Sequence, residues 1–95
     1  MIYSTLGIAD KEIPGVEIYP NPNNGRFTLE INSIGEKTIS IQIYNIPGKV
    51  IFAEPDVPVR GKTYRTITLD SPPEGLYHMK IEGEKGSVIK RFVVN

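Results

Sequence analysis

The chain has no cysteine, no tryptophan and a single histidine among its 95 residues. Without cysteine there is no disulfide framework, no thiolate metal site and no Cys-His nucleophile pair. Charge of one sign is also missing, since Lys plus Arg and Asp plus Glu each number 11. Such a balance provides no global field toward nucleic acid or an anionic membrane. No apolar run approaches the ~20 residues that span a bilayer, so no membrane insertion is expected. The first seven residues, Met1 to Gly7, lack both the basic start and the apolar segment of a signal peptide. The chain therefore reads either as cytoplasmic or as a piece of a larger secreted precursor. Helical stripes, internal repeats and low-complexity tracts are absent as well.

What the chain does have is turn chemistry, with nine glycines and eight prolines. Breakers recur at Asn24-Gly25, Gly35-Glu36, Pro47-Gly48, Pro55 to Pro58, Arg60-Gly61, Pro72 to Gly75 and Gly83 to Gly86. Between them lie short segments of period-2 alternation, the mark of half-buried strands. The alternation predicts strands over 16–19, 26–31, 38–44, 49–53, 64–69, 76–82 and 87–94. Phe27, Leu29 and Ile31 share one face, as do Ile39, Ile41 and Ile43, and likewise Tyr77, Met79 and Ile81. Ile67 and Leu69 also point inward by phase. Residues 87–94 are apolar on both phases, which leaves their inward face open. Seven short strands in about 80 residues predict an all-β antiparallel sandwich. Residues 1–15 end in a polar stretch closed by Pro14-Gly15 and read as a linker, with the domain at 16–95.

Catalytic chemistry finds little support. His78 lies mid-strand on the phase opposite Tyr77 and Met79, a polar-surface position. No nucleophile sits in a G-x-S-x-G elbow, and no phosphate-binding or dinucleotide glycine pattern occurs. Asp70, Glu74, Glu82 and Glu84 read as solvated turn acids. Asn21-Pro22-Asn23-Asn24-Gly25 carries no carboxylate, so it reads as a turn and not as a calcium loop. No cofactor or metal is expected. After Glu84 there is no acid, while Lys85, Lys90 and Arg91 remain, so the last strand is locally basic. A module without visible chemistry binds, spaces or is itself recognised. A carbohydrate-binding or adhesion module is the alternative, and it calls for a row of exposed aromatics.

Three blocks occur in order: Ile18-Tyr19-Pro20-Asn21-Pro22-Asn23-Asn24-Gly25-Arg26-Phe27-Thr28-Leu29, then Ile41-Gln42-Ile43-Tyr44-Asn45-Ile46-Pro47-Gly48-Lys49-Val50-Ile51, then Gly75-Leu76-Tyr77-His78-Met79-Lys80-Ile81. Lys90-Arg91-Phe92-Val93-Val94 closes the chain. Together they resemble the C-terminal sorting domain of cargo of the type IX secretion system of Bacteroidetes. The resemblance carries over to Pro20, Asn21, Pro22 and Gly25, to Tyr44, Asn45 and Gly48, to Gly75 and Tyr77, and to Lys90. Pro47 replaces the more usual Leu or Ala and suits a type II Pro-Gly turn. Asn95 replaces the more usual terminal Lys.

The resemblance implies an all-β, Ig-like antiparallel β-sandwich of about seven short strands that acts as a non-enzymatic address. An N-terminally attached cargo, bearing the signal peptide, passes through the periplasm and then an outer-membrane translocon. A sortase-like protease removes the domain at the cell surface. The expected partners are therefore translocon, protease and cargo, with residues 86–95 the main recognition strand and cleavage in or just before residues 1–15. An exposed edge strand would also allow two copies to pair.

Overall fold

The computed structural model describes residues 15–32, 37–84 and 86–95. The linker expectation for residues 1–14, the Gly35-Glu36 breaker and Lys85 lie outside these. Seven strands follow in order: β1 (Val16–Tyr19), β2 (Arg26–Asn32), β3 (Thr38–Tyr44), β4 (Val50–Pro58), β5 (Lys62–Thr68), β6 (Gly75–Gly83) and β7 (Gly86–Val94). They form two antiparallel sheets, three-stranded β1-β2-β5 and four-stranded β4-β3-β6-β7. This is the all-β antiparallel sandwich expected from the alternation, in the Ig-like form that the resemblance implies.

The alternating residues meet between the sheets. Phe27, Leu29 and Ile31 of β2 face Ile39, Ile41 and Ile43 of β3 and Tyr77, Met79 and Ile81 of β6 in one buried cluster. Ile67 and Leu69 join it, as their phase requires. For β7 the structure selects one of two apolar phases, burying Val88, Phe92 and Val94. Phe92 decides the choice. Its ring packs on Phe27 with centroids 4.9 Å apart and stacks on Tyr77 at 5.7 Å. Ile89 and Val93 are left outside.

β4 runs to Pro58, past the expected end at residue 53. Pro55 and Pro58 are tolerated because β4 lies at a sheet edge, where a missing N–H breaks no ladder bond. Its pairing with β3 shifts register twice, between Ile39 and Ile41 and between Ile43 and Tyr44. Asp56, with φ of 56°, lies in the first irregular stretch. The Pro47-Gly48 turn also differs from expectation. The closing hydrogen bond runs from Gly48 N to Asn45 O at 2.9 Å, which places Ile46 and Pro47 at its centre. Gly48 follows with φ of 96°, a left-handed value that a side chain resists.

The strand directions sort the connections by end. The β1–β2 loop, the β3–β4 turn, the β5–β6 loop and the C-terminus share one end of the sandwich. The chain enters at the other, where Asn32 N donates to Gly15 O at 2.9 Å.

Candidate functional site

The shared end is built around Asn23, the one buried polar side chain among the described residues, at 5% exposure. Its Oδ1 accepts from Gly25 N at 2.8 Å, and its Nδ2 donates to Pro20 O at 3.1 Å. One amide thus satisfies groups on both sides of the turn, as buried polar groups demand. Of the pair Asn24-Gly25, only Gly25 takes positive φ, at 102°. A Cβ there would lie 2.8 Å from Pro72 Cγ, so the glycine also permits close packing on the β5–β6 loop. Gly25 O accepts from Leu69 N at 2.8 Å. The Tyr19–Pro20 and Asn21–Pro22 peptide bonds are cis.

The loop then crosses to the other sheet. Asn23 N donates to Val93 O at 2.9 Å, and Asn95 N donates to Asn23 O at 2.9 Å. Asn21 Oδ1 accepts from Val93 N at 2.9 Å. The first block therefore pairs with the end of β7, a contact across some seventy residues that local sequence does not announce. Asn23 was missed as a key residue. The signal available was a third asparagine in a loop that otherwise had few ways to satisfy its own backbone.

The second and third blocks adjoin this knot. Asn45 Oδ1 accepts from Lys49 N at 2.8 Å and closes the β3–β4 turn. Tyr77, buried against Phe92, donates its hydroxyl to Pro73 O at 2.5 Å, which ties β6 to the loop before it. Pro72, Glu74, Gly75 and Tyr77 face Asn45, Ile46 and Ile51 across a shallow groove of 350 Å³. A second groove, 290 Å³, runs from Tyr44 and Gly48 over His78 to Ile89 on the outer face of the four-stranded sheet. Exposed apolar side chains gather here, with Ile46, Val50, Ile51 and Val93 all at this end.

So the structure brings together Pro20, Asn21, Pro22, Gly25, Tyr44, Asn45, Gly48, Gly75 and Tyr77. Lys90 stands apart, opposite Met79 in the middle of β7. It occupies the inward phase between Val88 and Phe92 yet stays exposed. An inward-pointing charge on an edge strand discourages indiscriminate edge pairing.

His78 lies between Tyr44 and Arg91 on neighbouring strands. Among the described residues no hydrogen bond joins it to a serine, threonine or carboxylate, and no cluster of metal-ligating residues occurs. On the opposite sheet Tyr19 donates to Glu30 Oε1 at 3.1 Å. Partial loss of solvent around the hydroxyl, then the Glu30 hydrogen bond and charge, then Tyr64, push the Tyr19 phenol above its ordinary value of 10.0. Tyr19 and Tyr64 are exposed on this face, while Tyr44 lies on the other sheet.

A family described as the secretion system C-terminal sorting domain matches residues 17–95. The chain belongs to the C-terminal sorting domain family of the type IX secretion system. No curated protein matches it. Among solved structures it is similar to PorZ of Porphyromonas gingivalis, described as an essential bacterial surface component of the type IX secretion system. That similarity has a TM-score of 0.66 at 21% identity and covers 93% of this chain but only 12% of PorZ. It supports the sandwich fold. Sorting domains of this family act as signals and not as catalysts, and they belong to proteins bound for the cell surface or the extracellular space.

Proposed function

We propose that residues 16–95 are a folded, non-enzymatic address, read by the type IX machinery at the end where the three blocks meet. The observation that carries this reading is their convergence. Blocks separated by dozens of residues build one surface of loops, two grooves and exposed apolar side chains. Cargo joined upstream of Val16 enters at the opposite end, beside Asn32, so it leaves the loop surface free for the translocon. Pro20, Asn21, Pro22, Gly25, Asn45, Gly48, Gly75 and Tyr77 shape that surface. Tyr44 presents its side chain beside it, whereas Lys90 stands apart, farther down β7.

Transit runs through the periplasm, and a sortase-like protease cuts in or just before residues 1–15. Cleavage there leaves the sandwich as an intact remnant, because every described strand lies beyond it. Mass spectrometry of the released remnant checks this, and a new N-terminus inside residues 26–95 contradicts it. For the surface itself, Ile46→Asp and Val50→Asp alter exposed positions at modest structural cost. In a reporter fusion they should lower export without lowering the melting temperature. Export equal to wild type removes the loop surface from recognition.

Deleting residues 86–95 is a poorer test than the charge of this strand suggests. It strips Val88, Phe92 and Val94 from the core. At about 1.5–3 kcal/mol each, that loss rivals the whole stability of a small domain. A second reading, carbohydrate binding, draws on Tyr19 and Tyr64, which flank Glu30 on one face. Specific binding on a glycan array would favour it.

A further inference from the structure

We propose that the open edge of β7, at Ser87, Ile89 and Arg91, receives a short extended segment of a partner protein that carries carboxylates and adds as a further strand. The proposal rests on the reading of the domain as a protein-recognised address and names the chemistry of one contact.

The backbone fixes where the edge is open. Val93 directs both its N–H and its C=O away from β6, and there Asn21 and Asn23 take them. The β6–β7 register runs unshifted from Gly75↔Val94 to Gly83↔Gly86. In an antiparallel ladder alternate residues direct both groups to the same side. Arg91, Ile89 and Ser87 therefore present theirs outward, and β7 is the last strand of its sheet. The β1–β2 loop already behaves as an added strand over the final residues, with a parallel bridge between Asn23 and Val94. It leaves a window of about five residues and blocks its upper end.

The other edges are less receptive. β4 carries two register shifts, Pro55 and Pro58. β1 is four residues long and stops at Pro20. β5 is held toward β4 by the Arg65–Glu54 ion pair. Edges blunted in these ways resist strand addition, whereas a regular one invites it.

Charge selects the partner. Lys90 and Arg91 lie within the window, and neither forms an ion pair among the described residues. No acid lies on β7. Two copies paired along this edge would set four cations on one seam without a carboxylate, and the inward phase of Lys90 would force its partial desolvation. A carboxylate-bearing strand answers both problems, and Ile89, 60% exposed, offers it apolar contact.

The probe is an eight-residue peptide of alternating valine and glutamate, with a valine–lysine peptide as control, titrated into the full chain and followed by amide NMR. The expected result is movement of the Ser87, Ile89 and Arg91 amides, at least tenfold tighter binding of the glutamate peptide at low salt, and weakening as salt rises. Ile89→Pro removes an outward N–H and no ladder bond, so it should keep the fold and lose the binding. Lys90→Glu with Arg91→Glu should invert the peptide preference. Equal binding of both peptides, strong exchange protection of the Ile89 and Arg91 amides in the free chain, or a dimer formed through this edge overturns the proposal. In a reporter fusion, Ile89→Pro should cut export at least tenfold. Normal export of that variant refutes the edge and leaves the sorting reading intact. A wild-type fusion that stays in the periplasm refutes the sorting reading, and the peptide titration then still decides the edge.

Discussion

Replacing Asn23 with alanine tests the knot that joins the first block to the last strand. The side chain is 5% exposed and satisfies two backbone groups, Gly25 N at 2.8 Å and Pro20 O at 3.1 Å. Alanine leaves the Gly25 N–H buried without an acceptor, which costs about 1–3 kcal/mol. The Pro20 carbonyl is only partly buried and adds about 0.5–1 kcal/mol. The expected loss is about 1.5–4 kcal/mol, or roughly 6–30 °C of melting temperature for a domain this size. Urea unfolding followed by circular dichroism measures the first quantity, and a thermal scan the second. Asn24 is the control. Its Oδ1 accepts from Arg26 N at 3.2 Å in solvent, so Asn24→Ala should cost under about 0.5 kcal/mol. If the two variants are equally mild, the buried amide does not organise the loop and the reasoning fails.

Three further outcomes follow from the same end of the molecule. Gly25→Ala meets both a φ of 102° and Pro72 Cγ at 2.8 Å, whereas Gly48→Ala meets only a φ of 96° and open space. Urea unfolding should therefore show a loss near 1 kcal/mol for Gly48→Ala and at least about twice that for Gly25→Ala. Tyr77→Phe keeps the stack on Phe92 but strands the Pro73 carbonyl, and should cost about 1 kcal/mol with unchanged circular dichroism. The Tyr19 phenol should titrate above pH 10 by ultraviolet difference absorbance, and Glu30→Gln should lower it toward 10. Because its folded value is raised, its contribution to stability is whole below the unfolded value and is lost as pH rises through the folded one.

Period-2 alternation carried the fold, because a half-buried strand stamps its inward face directly on the chain. Phe27, Leu29 and Ile31, or Tyr77, Met79 and Ile81, could be placed without any partner. β7 could not, since both its phases are apolar, and only packing against Phe27 and Tyr77 chooses Phe92 over Ile89 and Val93. β4 ran past its expected end because proline is excluded from interior strands but tolerated at edges, and edge status is a property of topology. The motif positions were legible one block at a time. Their assembly was not, because it depends on backbone pairing between Asn23 and Val93 across two sheets. The role of Asn23 follows from burial, which its neighbours in sequence do not reveal.

The most direct measurement appends residues 1–95 to the C-terminus of a reporter that carries a periplasmic signal peptide, in a host with an active type IX system. The account predicts that the reporter reaches the cell surface or the medium, and that it stops in the periplasm when the translocon is disabled. A reporter that stays in the periplasm of the competent host, with the sandwich folded, would contradict it.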